Sequence, residues 1–385
     1  VNPAARTQAA IELLDEIIAA ARGGGAAADT LIARYFKARR YAGSHDRRAI
    51  RELVFRAVRR AGDRPVSGRA ALLGVAQEAP ELLETLGDAG DDAPAEASVA
   101  PAWLLERFDP AIPAGELAAL LGRAPLDLRV NRLKGTREEA LADLPAAVPS
   151  PWSPLGLRLP EGFRVEPAEA WRSGLVEIQD EGSQLICLGC EALPGMRVID
   201  LCAGAGGKTL ALAAEMGNRG QIVASDADRG RLARMAPRLR RAGVRIVGTR
   251  LVNPNREVAM LADLAGRADL VLVDAPCSGT GTWRRNPETR WRMTLERLAR
   301  LTALQARLLD IAAGLLAPGG RLVYAVCSLL AEEGRDQAEA LAARSSLVPE
   351  PLPIPTGTPS GPGLLLSPAR DGTDGFFIAR WKMPC

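Results

Sequence analysis

The chain has 385 residues, 47% hydrophobic and 25% charged, with a formal net charge of +3, a composition that suits globular domains with cores of their own and excludes wholesale disorder. No apolar run reaches the ~18 residues of a membrane span, and the opening stretch Ala9–Ala21 carries Glu12, Asp15 and Glu16, so no anchor or signal peptide is expected. Six cysteines over this length make no disulfide framework, which points to a reducing cytoplasm, and a lone histidine, His45, argues against a Ser-His-Asp triad or a multi-histidine metal site.

Residues 1–98 read as one helical domain. Apolar positions recur at three- and four-residue spacing in Ala9–Ala21, Ala27–Ala42, Arg47–Arg60 and Gly68–Gly74, with Gly23-Gly24-Gly25 separating the first two. Ser44 or Asp46 is placed to cap the third helix, whose stripe is Ile50, Val54 and Val58. Between Leu31 and Ala70 twelve basic residues face three acidic ones, an excess that suits phosphate contact. The acidic segment Asp88–Ser98 lacks a periodic apolar face and reads as a linker.

Residues 99–173 have the mixed pattern of a small α+β module, with strands at Leu126–Asn131 and Leu155–Leu159 and a helix at Thr136–Leu144. From 174 to 385, short apolar runs alternate with helical stretches. The runs are Arg197–Leu201, Gln221–Ser225, Val244–Val247, Asp269–Asp274 and Arg321–Val326, the βαβ signature of a doubly wound parallel sheet.

The first of these strands enters a glycine-rich turn, Cys202-Ala203-Gly204-Ala205-Gly206-Gly207-Lys208, at a helix start. A phosphate-binding P-loop needs glycine where Cys202 stands, and a dinucleotide fingerprint needs a third glycine where Thr209 stands. The turn of an S-adenosylmethionine site remains. Asp226, ending the second strand, is placed either to accept from two ribose hydroxyls or to cap the next helix.

Two Cys-Ser pairs, Cys277-Ser278 and Cys327-Ser328, follow the fourth and fifth strands, where ligands of open α/β sheets gather. Carbon 5 of cytosine or uracil attacks a methyl sulfonium only after a nucleophile has added to carbon 6, and a thiolate suits that addition. Asp274 is placed to act near ring nitrogen 3, and a second thiol can serve the later loss of the carbon 5 proton. Trp283, Arg284, Arg285, Arg290, Trp291 and Arg292 carry the basic and aromatic vocabulary of RNA recognition, or else form a solvated face with tryptophans anchored in the core. The eight arginines of Arg229–Arg250 read mainly as the outer face of a helix, and Cys187 and Cys190 as core fillers rather than zinc ligands.

The chain is identified as similar to the RsmB/Nop/Sun family of RNA cytosine-5 methyltransferases. Residues 200–209 (DLCAGAGGKT), residues 274–281 (DAPCSGTG), Cys327-Ser328 with Glu332-Glu333, and Asp374-Gly375-Phe376-Phe377 carry the resemblance, with Leu128-Arg129-Val130-Asn131 and residues 178–183 (IQDEGS). Residues 39–44 (RRYAGS) resemble the NusB-like extension of the rRNA-acting members. The resemblance implies an α/β fold: a Rossmann-like class I S-adenosylmethionine-dependent sheet preceded by an all-α NusB-like domain and a small RRM-like α+β module. It implies Cys327 as nucleophile, Cys277 in resolution of the adduct, and Asp274 and Lys208 in the active site. Donor-binding positions by the same resemblance are Cys202, Ala203, Gly204, Ala205, Gly206, Gly207, Lys208, Asp226 and Asp274. Asn253 stands where the family commonly has an acid, Gly204-Ala205 where it has Ala-Pro, Val326 where it has Thr and Asn286 where it has His. The expected substrate is RNA, small-subunit rRNA first, with tRNA as the alternative in the same class and an inactive RNA-binding assembly factor as the alternative in another. A DNA cytosine methyltransferase would leave Cys327 unexplained. No metal, membrane or obligatory protein partner is expected.

Overall fold

A computed structural model describes residues 2–39, 43–87 and 91–385. Arg40, Tyr41 and Ala42 of the basic motif, which include the predicted end of the second helix, and Asp88, Ala89 and Gly90 of the acidic segment lie outside the described residues. The chain divides into two compact units: Val1–Phe108 with Pro113–Arg123 and Ser278–Leu298, and Asp109–Ile112 with Ala124–Cys277 and Ala299–Cys385.

The first unit is helical. Its helices α1 (Pro3–Gly23), α2 (Ala28–Ala38), α3 (Ser44–Arg60) and α4 (Gly68–Ala76) bury Leu13, Leu14, Ile17, Ile32, Val54, Val58 and Leu72 in one core. Asn2 caps α1 through Ala5 N, and Pro3 at its first position supplies a preset φ. Gly43 rather than Ser44 or Asp46 is the N-cap of α3; Ser44 is already helical, and the Asp46 carboxylate instead accepts from Arg6 Nε at 2.8 Å. The acidic segment is not a free linker from Asp91 onward. Ala95 donates to the Ala70 carbonyl, Arg60 Nη1 donates to the Ala95 carbonyl, Ser67 donates to Asp92, and Ala97 bridges Ala61. Backbone groups hold it where an apolar face is lacking.

The segment after Cys277 belongs to this unit, and Trp283, Arg284, Arg290 and Trp291 in it are buried. Arg290 is fully buried. Its Nη2 donates to the carbonyls of Val58, Arg59 and Ala61, and its Nη1 to that of Val99 at 2.9 Å. These include the orphan carbonyls at the end of α3, where a cation also meets the negative end of the helix dipole. Burial and the like charge of Arg59 pull the Arg290 guanidinium down to about 10, still charged at neutral pH. Trp291 Nε1 donates to the Ala61 carbonyl at 2.9 Å, Arg292 donates to Gly25 and Ala26, and Glu288 accepts from Ala28 N at 3.0 Å. Trp283 is buried edge-on against Phe108, and Arg284 is buried too. The RNA-facing alternative therefore fails for Trp283, Arg284, Arg290 and Trp291, because side chains spent on the interior cannot stack on bases; Arg292 is half-buried, its guanidinium held by the Gly25 and Ala26 carbonyls.

The second unit holds two sheets. The smaller has the order β2-β3-β1-β4, from β1 (Leu126–Val130), β2 (Val148–Pro149), β3 (Gly156–Leu159) and β4 (Val176–Ile178), all paired antiparallel. Helix α5 (Arg137–Asp143) starts on a Thr136–Glu139 capping box. One sheet face packs Leu128, Val130, Leu157 and Val176 into a core. The other carries buried charge: Asp127 pairs with Arg158 at 2.7 Å, and Glu177 accepts from Arg238 and Arg241, the latter stacked 3.8 Å over Trp171.

The larger sheet has the order β11-β12-β13-β9-β8-β5-β6-β7, with β10 on β13. Its parallel part is β5 (Arg197–Asp200), β6 (Gln221–Asp226), β7 (Val247–Leu251), β8 (Ala268–Asp274) and β9 (Leu316–Val326). The expected all-parallel sheet is extended by antiparallel β10 (Val348–Pro349), β11 (Thr358–Ser360), β12 (Gly363–Leu366) and β13 (Phe376–Lys382), so the sheet is mixed. Helices α6 (Glu181–Cys190), α7 (Gly207–Glu215), α8 (Arg229–Ala242), α9 (Leu295–Leu315) and α10 (Arg335–Arg344) complete it. Strand β7 begins at Val247, whereas the apolar run predicts a strand over Val244–Val247. Val244 instead closes α8: its N–H reaches the Leu239 carbonyl and that of Gly243, at φ +72°, reaches Arg240, a Schellman end with its hydrophobic residue in place. Cys187 and Cys190 are buried in the core, burial pushes the Cys187 thiol up to about 12, and no metal-holding cluster occurs among the described residues.

Replacing Arg290 with methionine fills a similar volume but takes the Arg290 donor from the carbonyls of Val58, Arg59 and Val99, while Ala61 keeps Trp291, so stability should fall by roughly 2–4 kcal/mol in urea unfolding. An unchanged midpoint and slope would mean that the carbonyls find other partners.

Candidate active site

The carboxyl ends of β5, β6, β8 and β9 converge where strand order reverses, and the glycine turn, Asp226, Asp274, Cys277 and Cys327 follow or end these strands. The glycine turn follows β5. Gly206 has φ +85°, and a Cβ there would come within 2.6 Å of Met235 Cγ, so only glycine fits. Ala203 N donates to Ser225 O and Gly206 N to Ala203 O, which folds the turn against β6. The N–H groups of Gly207 and Lys208, at the start of α7, have no hydrogen-bond partner among the described residues.

Asp226 is buried at the end of β6, and its carboxylate accepts from Gly204 N and from Asp228 N, each at 2.8 Å. It does not cap α8; Asp228 does, through Arg231 N. Asp226 thus ties the turn to the next strand and keeps lone pairs on both oxygens. Asn253, after β7, is exposed, and its N–H lies 3.3 Å from Met260 Sδ.

Lys208 Nζ donates to Asp274 Oδ2 at 2.7 Å and lies 5.9 Å from the centre of the Phe376 ring. Burial pulls the Lys208 ammonium down, but the charge and hydrogen bond of Asp274 outweigh it and hold the group above the ordinary lysine value. The ammonium also lies close enough to Cys327 to feel its charge. Cys277 and Cys327, both half-buried, are 3.3 Å apart from sulfur to sulfur. Cys202, by contrast, is pushed well up by burial and the carboxylates around it, a poor nucleophile at neutral pH.

Behind the two cysteines lies a polar bracket that the sequence does not disclose. Gln305, fully buried on α9, donates through Nε2 to the Pro276 carbonyl at 2.9 Å and to Glu333 Oε1 at 3.0 Å. Tyr324 on β9 donates to the Glu333 carbonyl at 2.6 Å. Nor does the sequence single out Asp200. It accepts from Thr209 Oγ1 at 2.6 Å, but its Oδ1 is buried without a partner. Burial, with the charges of Asp274 and Asp226, pushes the Asp200 carboxyl up to about 7 against the pull of Thr209 and Lys208. Its apolar strand gives no sign of this, although Asp200 is the first residue of the turn motif.

Known proteins resemble the chain in sequence and in fold. The family profile described as 16S rRNA methyltransferase RsmB/F matches residues 191–382, and that of the RsmF/B-like ferredoxin-like domain matches residues 100–166. The chain is 36% identical over 287 residues to ribosomal RNA small subunit methyltransferase B of Salmonella typhi, and equally to that of Salmonella agona, over 73% of this chain. It spans 65% of the length of these curated relatives. Among solved structures, a methyltransferase homolog from Pyrococcus horikoshii is 29% identical with a TM-score of 0.62, covering 70% of this chain and 90% of that one. PH0851 shares the fold over 99% of both chains, at 24% identity and a TM-score of 0.76. NSun6 from Pyrococcus horikoshii, solved with SFG, shares it over 73% of this chain and 98% of its own, at 22% and 0.65.

Asp200 offers a test by pH. An acid whose folded value lies above its unfolded one favours the fold most below about pH 4, and that contribution is lost as pH rises through about 7. Asp200→Asn removes the titration, so its stability relative to the parent should climb between pH 4 and pH 8 by a few kcal/mol at most, at about 1.4 kcal/mol for each tenfold difference in proton affinity between the folded and unfolded chain. A constant gap in urea unfolding across that range would refute the assignment.

Proposed function

The chain belongs to the RsmB/F family of methyltransferases, and from that membership and its paired thiols we propose that it forms 5-methylcytosine in RNA, with small-subunit rRNA as the substrate and S-adenosylmethionine as donor. The observation that carries the reading is the 3.3 Å approach of Cys277 and Cys327 beside the Lys208–Asp274 pair. One nucleophilic thiol suffices for many transfers; two at one strand junction suit a reaction that must both make and release a covalent adduct.

The donor fits the turn. Gly206 keeps the backbone open to close approach, Gly207 and Lys208 offer unpaired N–H groups, and Asp226 keeps lone pairs for ribose hydroxyls. Cys202, Ala203, Gly204 and Ala205 complete the cradle, Asp274 lies at its far side, and Asn253 joins it only if the loop after β7 turns its amide inward. S-adenosylmethionine supplies an electrophilic methyl group. Cys327 adds as thiolate to carbon 6 of the cytosine, aided by the Lys208 ammonium near it, and Asp274 supports protonation at ring nitrogen 3. Carbon 5 becomes nucleophilic and takes the methyl group. Cys277 then serves removal of the carbon 5 proton, the ring double bond re-forms, and the Cys327 thiolate leaves.

The three-part division 1–98, 99–173 and 174–385 is retained as a division of labour, with the first two parts holding RNA. For the first, Lys37, Arg47, Arg48 and Arg51 line a groove between α2 and α3 together with Phe36, although Arg51 is also paired with Asp29. Arg290 and Trp291 pack on residues of the first part, so a chain begun at residue 99 would not be a clean test of it. No helix among the described residues is long and apolar enough to cross a membrane, and the reading places the enzyme in the cytoplasm.

Asp226→Ala should weaken donor binding by roughly 1–3 kcal/mol in calorimetry, the range for hydrogen bonds to a charged acceptor, and unchanged affinity would remove Asp226 from the donor site. Cys327→Ala should abolish methyl transfer while donor and RNA still bind. Cys277→Ala should methylate once and remain joined to RNA through Cys327, as a band that survives a denaturing gel. If the band forms with Cys327→Ala and not with Cys277→Ala, the two thiols exchange roles.

A further inference from the structure

The two sulfurs need more than strand register to stay 3.3 Å apart, since Cys277 and Cys327 both lie beyond the ends of their strands. The loop carrying Cys277 starts at Ala275-Pro276, where proline has no N–H to give to a ladder. The Pro276 carbonyl is taken by Gln305, and the other hydrogen of the same amide is taken by Glu333, six residues beyond Cys327. Glu333 is in turn held through its own carbonyl by Tyr324, three residues before Cys327.

The bracket is buried: Gln305, Glu333 and Tyr324 are at 0% exposure. The amide orientation is forced, because a carbonyl and a carboxylate both need donors, and Gln305 Oε1 is left without a partner as the cost of that orientation. A buried amide that sacrifices its own oxygen to bridge two loops does more than fill space.

We propose that Gln305 is a positioning residue for the thiol pair. It ties the Cys277 loop to the loop after Cys327, and so sets the distance at which Cys277 can serve release of the product. The inference rests on the roles given above to the two cysteines. Gln305 touches no substrate; it acts through Pro276 and Glu333.

Gln305→Leu removes both donors, and Gln305→Asn keeps the amide but is one methylene too short to reach both acceptors, so it remains informative if the leucine variant does not fold. Two readouts are made on the full chain. In the first, phenylarsine oxide, which bridges two neighbouring thiols, is titrated and read by intact mass, with the Cys277→Ala chain as the baseline. Its affinity should fall at least about tenfold in either Gln305 variant, because two groups that no longer sit at the bridging distance lose their effective concentration for each other. In the second, a single turnover with labelled donor and rRNA is run on a denaturing gel. Methyl transfer should stay within about threefold of the parent while the covalent band grows about tenfold, because release depends on Cys277 and attack does not. General loss of structure would lower transfer and the band together. Unchanged arsenical affinity in the folded variants overturns the proposal, and so does an unchanged band when Cys277→Ala accumulates one. If Cys277→Ala itself accumulates no band, the assignment of roles to the cysteines falls, and the arsenical titration alone then decides whether Gln305 sets the spacing.

Discussion

Two thiols fifty positions apart in the chain meet because β8 and β9 run side by side, in the same direction and in fixed register. Asp274 pairs with Ala325, and the ladder continues one step further as Ala275 N donates to the Ala325 carbonyl. A single residue on each side, Pro276 or Val326, then precedes the cysteine. A slip of one residue would turn every side chain of a strand to its opposite face, so Cys327 would leave the crevice and Val326 would enter it. What prevents the slip is apolar burial on both faces: Val271, Leu272 and Val273 on β8, and Leu322 to Val326 on β9, are all at 0% exposure. The packing that holds the sheet therefore brings the two loops side by side, and the Gln305 bracket ties them together beyond the strand ends.

The parts of this molecule that can be read from its residues are those where a local pattern has one physical solution. Apolar runs ending in Asp200, Asp226 and Asp274 are strands whose polar ends face a crevice, and Gly204 to Gly207 admit few turns. Cys-Ser after two such runs places both thiols correctly. Where one pattern has two solutions, the residues mislead or leave the choice open. Arginine beside tryptophan suits a stacked base and also suits a buried cap, and only the neighbouring carbonyls of Val58, Arg59 and Ala61, more than two hundred positions away, decide between them. Val244 looks like the start of a strand because a Schellman end also asks for an apolar residue after its glycine. Gln305 is invisible for a different reason: a single glutamine in a helix gives no signal until its two acceptors, both from other segments, are in place.

The small sheet shows the same dependence on distant partners. Glu177 is buried and alternates with apolar Val176, which from sequence suggests a solvent-facing position. It is satisfied by Arg238 and Arg241 of α8, two of the arginines that read as an outer helical face. Ion pairs of this kind add little net stability, since desolvation offsets most of the attraction, but removing one partner strands the other charge. Arg238 also donates to the Ala205 carbonyl at 2.8 Å, so the charged contact reaches the glycine turn itself.

The assignment of Ser278–Leu298 to the helical unit bears on how the chain reaches its fold during synthesis. A domain formed from contiguous N-terminal residues closes its core as soon as it leaves the ribosome. Here the carbonyls ending α3 wait for Arg290, and the core around Val54 and Leu72 waits for Trp291. At roughly 5–20 residues per second, the 190 or so residues between the end of the first hundred and Arg290 take on the order of ten to forty seconds to appear. Through that interval the emerging helices α1 to α4 carry an unfinished apolar surface, so they complete their structure only after much of the larger sheet has been made.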